Sequence, residues 1–353
     1  MLMKKMLAGF VLFSLLFVTS AYAAKPVSKL KANGIRLVPG NQTITMNWAS
    51  PGNSEGNKRT FIVHTPPKVD KKKVYPVVFI FHGGGGSGAK ALEQYGFDKT
   101  ADTQGVIVVY PTGTSSDPRH GYTWNNGLGF GLNLNAKADS VDDVGFVREI
   151  HKKLTTDLSG NIDKQRVYAA GVSNGGMFTN LLAAQTGDLF AAVCSIAGTT
   201  ESWSLDSSKR RTLPTPKMPM NVLLVRGTQD STIMYFGDRI EGMHRPGSPT
   251  HNGDTTSMLR YWAVANRCSL VPARENVENS RLSENRYVLT QTFLPSARSG
   301  ASGEVTLMTI IGGTHSWGDP KIIAPGEFNN SLWKFFNKYK KTQPRSIRSS
   351  GGM

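Results

Sequence analysis

Apolar residues along this chain follow two alternating periods. Tyr75-Pro-Val-Val-Phe-Ile-Phe81 is almost continuously apolar and stops at glycines, which predicts a central strand buried on both faces. Gly105–Tyr110, Arg166–Ala170, Phe190–Ile196 and Met220–Val225 repeat that pattern. Between them the spacing turns helical. Val144, Phe146, Val147, Ile150 and Leu154 fall on one face and predict a crossover helix over 144–158. Residues 89–104, 175–186, 255–266 and 328–338 read as further helices, and 286–293 and 304–311 as further strands. Residues 25–60 hold short alternating stretches such as Ile44–Trp48, broken by Gly and Pro, which predict small antiparallel strands. Arg59–His64 is another strand of this kind. The alternation predicts an α/β fold, a mostly parallel central sheet with helices on both faces. No internal repeat or polar linker leads to a second module. Residues 24–341 are therefore expected to form one domain, and the polar, basic 342–353 a disordered tail.

The beginning of the chain is of a different kind. Met1-Leu-Met-Lys-Lys5 is followed by an apolar run from Met6 to Val18 and then by Ala21-Tyr-Ala23. This is the pattern of a secretory signal peptide cleaved after Ala23, with Ala24 as the alternative. The run is short for a membrane span, so an uncleaved anchor is the weaker reading. The mature protein is thus expected to be secreted, extracellular or periplasmic, without an integral span. Loss of Lys4 and Lys5 takes the formal charge from +16 to +14. Basic residues cluster at Lys71–Lys73, Lys209–Arg211 and Lys338–Arg348, never interleaved with aromatics as in nucleic-acid motifs. They read as solvated surface, and nucleic acid is not an expected partner. Export permits a disulfide between Cys194 and Cys268, and two packed thiols are the alternative.

The candidate chemistry starts at Gly171-Val-Ser-Asn-Gly175, which follows the strand 166–170 and opens the helix 175–186. A G-x-S-x-G turn between strand and helix is the nucleophile elbow of α/β-hydrolases, with Ser173 exposed at the carboxyl edge of the sheet. A serine hydroxyl needs a histidine to take its proton and a carboxylate to orient that histidine. On this arrangement the acid and then the histidine follow the serine. His64, His82, His120 and His151 precede Ser173, and His244 and His251 lack a strand just before them. His315, in Gly312-Gly-Thr-His-Ser-Trp317, directly follows an apolar run and is the expected base. Asp230, just past the strand ending near Val225, is the expected acid; Asp206, Asp238 and Asp254 lack a preceding core strand.

An acyl-transfer site also needs backbone N–H donors for the oxyanion. Asn174, next to the nucleophile, is one candidate. The glycine loop after Phe81 supplies the other, with Gly84 the first choice and Gly85 the second. Gly83, Gly85 and Gly88 also satisfy a dinucleotide fingerprint, but a run of glycines does so trivially and no clear acidic partner follows. No G-K-[ST] and no metal-ligand motif is present, so no cofactor is expected. Trp124, Trp317 and His82 are candidate substrate-binding residues; Trp124 reads equally as a packed anchor, and Trp317 as a pocket wall or a residue packed beneath it. Asp142-Asp143 reads as an N-cap pair for the 144–158 helix.

These motifs in order resemble a known group. His82-Gly-Gly-Gly-Gly-Ser87, Trp124-Asn125, Asp142-Asp-Val-Gly-Phe146, Gly171-Val-Ser-Asn-Gly-Gly176, Gly227-Thr-Gln-Asp230 and Gly313-Thr-His-Ser-Trp317 are similar to the secreted polyhydroxybutyrate depolymerase and feruloyl esterase group of α/β-hydrolases. The similarity runs from about residue 57 to residue 340. It implies ester hydrolysis with Ser173, Asp230 and His315 as the triad, on hydroxyalkanoate polyesters or on aromatic and acetyl esters of plant polysaccharide. The chain lacks the Thr-rich linker and separate binding module of many polymer-degrading depolymerases, which argues against solid polyester as substrate. Two other readings stand beside this one. One is a peptidase or acyltransferase on the same scaffold, and the other a non-catalytic binder of anionic polysaccharide.

Overall fold

Alternate side chains of Tyr75–Phe81 point to opposite faces of a sheet, and both faces are covered. Tyr75, Val77, Phe79 and Phe81 join one apolar cluster, while Val78 and Ile80 join the other. In the computed structural model this segment lies fourth in the order of a ten-stranded sheet. The residues described are 34–50, 52–129, 141–204, 209–238, 250–296 and 303–341. The expected signal peptide 1–23, His244, Asp206 and the expected tail 342–353 lie outside them.

In chain order the strands are β1 (Gly40–Asn47), β2 (Lys58–Thr65), β3 (Tyr75–Phe81), β4 (Ile107–Pro111), β5 (Ile162–Val172), β6 (Ala192–Ile196), β7 (Glu201–Ser204), β8 (Arg210–Thr212), β9 (Asn221–Gly227), β10 (Thr250–Asn252), β11 (Arg274–Asn279), β12 (Tyr287–Phe293) and β13 (Val305–Ile310). The helices are α1 (Gly88–Tyr95), α2 (Phe97–Gln104), α3 (Asp143–Asp157), α4 (Asn174–Gln185), α5 (Thr255–Ala265) and α6 (Pro325–Phe336). The large sheet has the order β1-β2-β4-β3-β5-β6-β9-β13-β12-β11. Its middle, from β4 to β13, is parallel. The pairs at either side are antiparallel. Helices α3, α4 and α5 cover one face, and α1, α2 and α6 the other.

Several expectations change in detail. The helix over 89–104 is two helices, because Gly96 adopts φ 60° and turns the chain between them. A second, three-stranded sheet of order β10-β7-β8 and the edge strand β11 have no counterpart in the apolar pattern. Their strands are short or polar, and β11 is exposed at every position. Cys194 and Cys268 are both free. They pack against opposite faces of the sheet, which keeps the thiols apart. No helix among the described residues is long and apolar enough to cross a membrane.

Candidate active site

Parallel pairing sets three loops along one sheet edge. Val172 of β5 pairs with Ile196 of β6, Ile196 with Val225 of β9, and Val225 with Met308 of β13. Ser173 follows that row on β5, Asp230 beyond β9 and His315 beyond β13. All three therefore leave the carboxyl ends of parallel strands, the edge where open α/β sheets place their ligands.

Ser173 itself carries the sharp turn. Its φ is 57° and ψ −124°, a region that non-glycine residues rarely adopt. The flanking glycines serve close approach instead. A Cβ on Gly175 would lie 2.5 Å from the carbonyl oxygens of Phe81 and His82, and one on Gly171 2.3 Å from that of Gly175. The Ser173 N–H donates to the Ile196 carbonyl at 2.9 Å, and the Ser173 carbonyl accepts from Met177 at the start of α4. Elbow, β6 and helix are thus bound together.

Asp230 and His315 meet directly. His315 Nδ1 lies 2.8 Å from Asp230 Oδ2. A carboxylate only accepts, so in the neutral ring the proton sits on Nδ1 and Nε2 keeps its lone pair. The other carboxylate oxygen accepts from the N–H groups of Thr232 and Ile233, both at 2.8 Å. The Asp230 side chain is fully buried and that of His315 is partly exposed. Neither the Ser173 hydroxyl nor His315 Nε2 has a hydrogen-bond partner among the described residues.

The N–H groups of the glycine loop differ in whether they already have partners. The N–H of Gly83 donates to Tyr95 Oη, that of Gly85 to the Tyr122 carbonyl, and that of Gly86 to the Gly83 carbonyl. Gly85 is therefore already committed, which corrects its candidacy. The N–H of Gly84 has no partner among the described residues. Asn174 heads α4, and its carboxamide pairs with both backbone groups of Trp124.

Two substrate-binding candidates are structural. Trp124 is completely buried, stacked on Phe178 and edge-on to Phe81, with Nε1 donating to the His82 carbonyl at 3.0 Å. His82 is completely buried too. Nδ1 donates to the Gly83 carbonyl at 2.7 Å, and Nε2 accepts from the Gly113 N–H at 3.0 Å. Burial holds its pKa down at about 4, so it is neutral with both nitrogens in use. Trp317 differs. It is half-buried, stacked on Tyr95 with ring centroids 4.5 Å apart, beside the loop that carries His315.

Other supports escaped sequence reading. Arg226, buried on β9, donates to the carbonyls of Gly198, Ile233 and Met234 and to Thr255 Oγ1, tying the acid loop to the loop after β6 and to α5. Burial lowers its pKa, while the nearby Asp230 charge opposes that shift. Asp319 accepts from both the N–H and the hydroxyl of Thr314, fixing the residue before His315. Asp142 caps α3 as expected, through Gly145 N–H at 2.7 Å. Asp143 does not share that task. It forms a buried pair with Arg59 at 2.7 Å and accepts from the Asn125 N–H beside Trp124.

Comparison with known proteins bears on the fold and on sequence relatives. Residues 99–220, which include the elbow, match the model of the prolyl oligopeptidase family. Feruloyl esterase B of Piromyces equi is 28% identical over 265 residues, 75% of this chain and 44% of that protein. The acetylxylan esterase of Coprinopsis cinerea is 28% identical over 220 residues, 62% of this chain and 52% of that protein. The chain thus spans about half the length of these relatives. Among solved structures, the acetyl xylan esterase from Aspergillus awamori superposes with a TM-score of 0.53 at 15% identity, covering 84% of this chain and 99% of that one. The chain has the α/β-hydrolase fold and is similar in sequence to esterases of the feruloyl esterase group.

Proposed function

We propose that the chain is a serine carboxylic-ester hydrolase acting on feruloyl or acetyl esters of polysaccharide. The observation that carries this reading is the His315 Nδ1–Asp230 Oδ2 bond, set on the sheet edge that also holds Ser173. The Ser173 hydroxyl attacks the ester carbonyl carbon while His315 Nε2 takes its proton. The carbonyl electron pair moves onto oxygen, where the N–H groups of Gly84 and Asn174 receive it. Collapse breaks the bond to the alcohol, which leaves with the proton held by His315. Water then gives a proton to His315 and attacks the acyl carbon, and the acid departs as the proton returns to Ser173. Trp317, half-buried beside the base, is the substrate wall in this scheme. Residues 1–23 serve export and residues 24–341 are the catalytic domain.

The test uses protein from residue 24 onward with methyl ferulate, acetylated xylan and hydroxybutyrate oligomers, and with a fluorophosphonate probe. Turnover of either of the first two, with probe bound at Ser173 and both lost in Ser173→Ala, supports the reading. No turnover of any ester and no labelling of Ser173 overturns it. The match to the prolyl oligopeptidase family favours a second reading, peptide hydrolysis by the same groups. Cleavage of a peptidyl anilide without ester turnover would select it.

A further inference from the structure

Tyr95 ends α1, Trp317 lies two residues past His315, and Asn329 sits in α6. The fold closes these three distant residues into a ring. Trp317 Nε1–H donates to Asn329 Oδ1 at 2.9 Å, and Asn329 Nδ2–H donates to the Tyr95 carbonyl at 2.8 Å. The Tyr95 ring lies flat on Trp317, with 2° between the planes. Asn329 is buried, and both ends of its carboxamide are used, which fixes its orientation. Phe328 meets Trp317 edge-on and completes the packing.

Beyond the ring, the Tyr95 hydroxyl accepts from the Gly83 N–H at 3.3 Å. Gly83 abuts the nucleophile, since a Cβ there would lie 3.4 Å from Ser173 Cβ. Binding the Gly83 N–H to Tyr95 turns that peptide away and leaves the Gly84 N–H as the open donor of the loop. We propose that Tyr95 is a positioning residue for the oxyanion donor, and that Trp317 and Asn329 hold that donor in register with the loop carrying His315. This inference rests on the ester-hydrolase reading above. It gives the base loop and the oxyanion loop one shared support, so displacing either disturbs both.

The experiment compares Tyr95→Phe and Trp317→Phe with the wild-type mature protein on a soluble ester. A trifluoromethyl ketone, whose adduct on Ser173 carries the oxyanion, reads the donor directly. Tyr95→Phe keeps the ring stack and removes the acceptor. Its kcat should fall about tenfold with KM within about twofold, and ketone affinity should fall by the same factor as kcat. A structural role alone would lower the melting temperature without this selective loss of the adduct. Wild-type kcat and ketone affinity in Tyr95→Phe, or a loss confined to KM, overturns the proposal. Should Tyr95→Phe not fold, Trp317→Phe decides: it keeps the Tyr95 hydroxyl and loses the bond to Asn329. A parallel fall in kcat and ketone affinity with KM within about twofold supports the proposal, since loss of a substrate wall would raise KM; no change in either, or a loss confined to KM, overturns it. Failure of the underlying reading looks different, because wild-type protein would then neither hydrolyse esters nor take up the fluorophosphonate.

Discussion

His315 reaches across 85 residues of sequence to place Nδ1 2.8 Å from Asp230 Oδ2. The second carboxylate oxygen is held by two backbone N–H groups, so the acid cannot turn away from the ring. The carboxylate therefore selects the tautomer that leaves Nε2 free to accept a proton. In Asp230→Asn the carboxamide NH₂ can face the ring and select the opposite tautomer, with Nε2 already protonated. Turnover should fall by roughly 10³–10⁴ while the fold is kept. Steady-state kinetics beside a thermal melt checks this, and a loss of less than about tenfold would remove Asp230 from the acid role.

Ser173 occupies a backbone region that costs a side chain about 1–3 kcal/mol. Ser173→Ala removes the hydroxyl but keeps a Cβ in that region. Ser173→Gly removes both. Although glycine is the more flexible residue when unfolded, relief of strain should leave Ser173→Gly more stable than Ser173→Ala by about 1 kcal/mol. Urea unfolding of the two variants measures the difference. Equal stability, or greater stability of the alanine variant, would show that the elbow stores no strain.

How far the sequence could be read depended on the range of the interaction. The strand ends that carry Ser173, Asp230 and His315 were visible because apolar runs and glycines are local signals. Tyr95, Asn329 and Arg226 were not, because each acts through a contact with a segment distant in the chain. By sequence, Trp124 and His82 are candidate substrate-binding residues because they lie within motifs that border the site, with Trp124 equally a packed anchor. Burial shows that a motif residue can serve the frame instead: Trp124 braces the loop through the His82 carbonyl, and His82 pins that loop to Gly113. Strands such as Arg210–Thr212 and Thr250–Asn252 carry too few apolar residues to announce themselves.

Adjacent Asp142 and Asp143 support the fold by different means and to different extents. Asp142 supplies a capping bond at an exposed helix end, so Asp142→Ala should cost about 1 kcal/mol. Asp143 balances the buried Arg59 guanidinium, and burial raises its own pKa. Asp143→Ala strands that cation and the Asn125 N–H, so it should cost about 3–5 kcal/mol. Denaturant midpoints of the two variants separate the roles. Similar losses would mean that the Arg59 pair contributes no more than a cap.

His82 makes the protein acid-sensitive through a group outside the proposed triad. Its folded pKa of about 4 lies below the ordinary value of 6.5, chiefly because burial penalises the charged ring. An unfolded chain therefore binds a proton below pH 6.5 that the native state refuses. The contribution is fully present above pH 6.5 and is lost as pH falls from there toward 4, by roughly 3 kcal/mol in all. His151 on α3 is shifted down to about 4 by burial and by Lys341, Lys164 and Arg148, and adds a second proton to the same window. In His151→Gln the slope of unfolding free energy against pH should drop by one proton and leave the part due to His82. Ring resonances give the site-specific check: His82 should stay neutral well below pH 6.5, with Nδ1 protonated toward the Gly83 carbonyl and Nε2 accepting from Gly113. A His82 ring that titrates near 6.5 would mean that the glycine loop opens to water, and the frame behind the Gly84 donor would have to be redrawn.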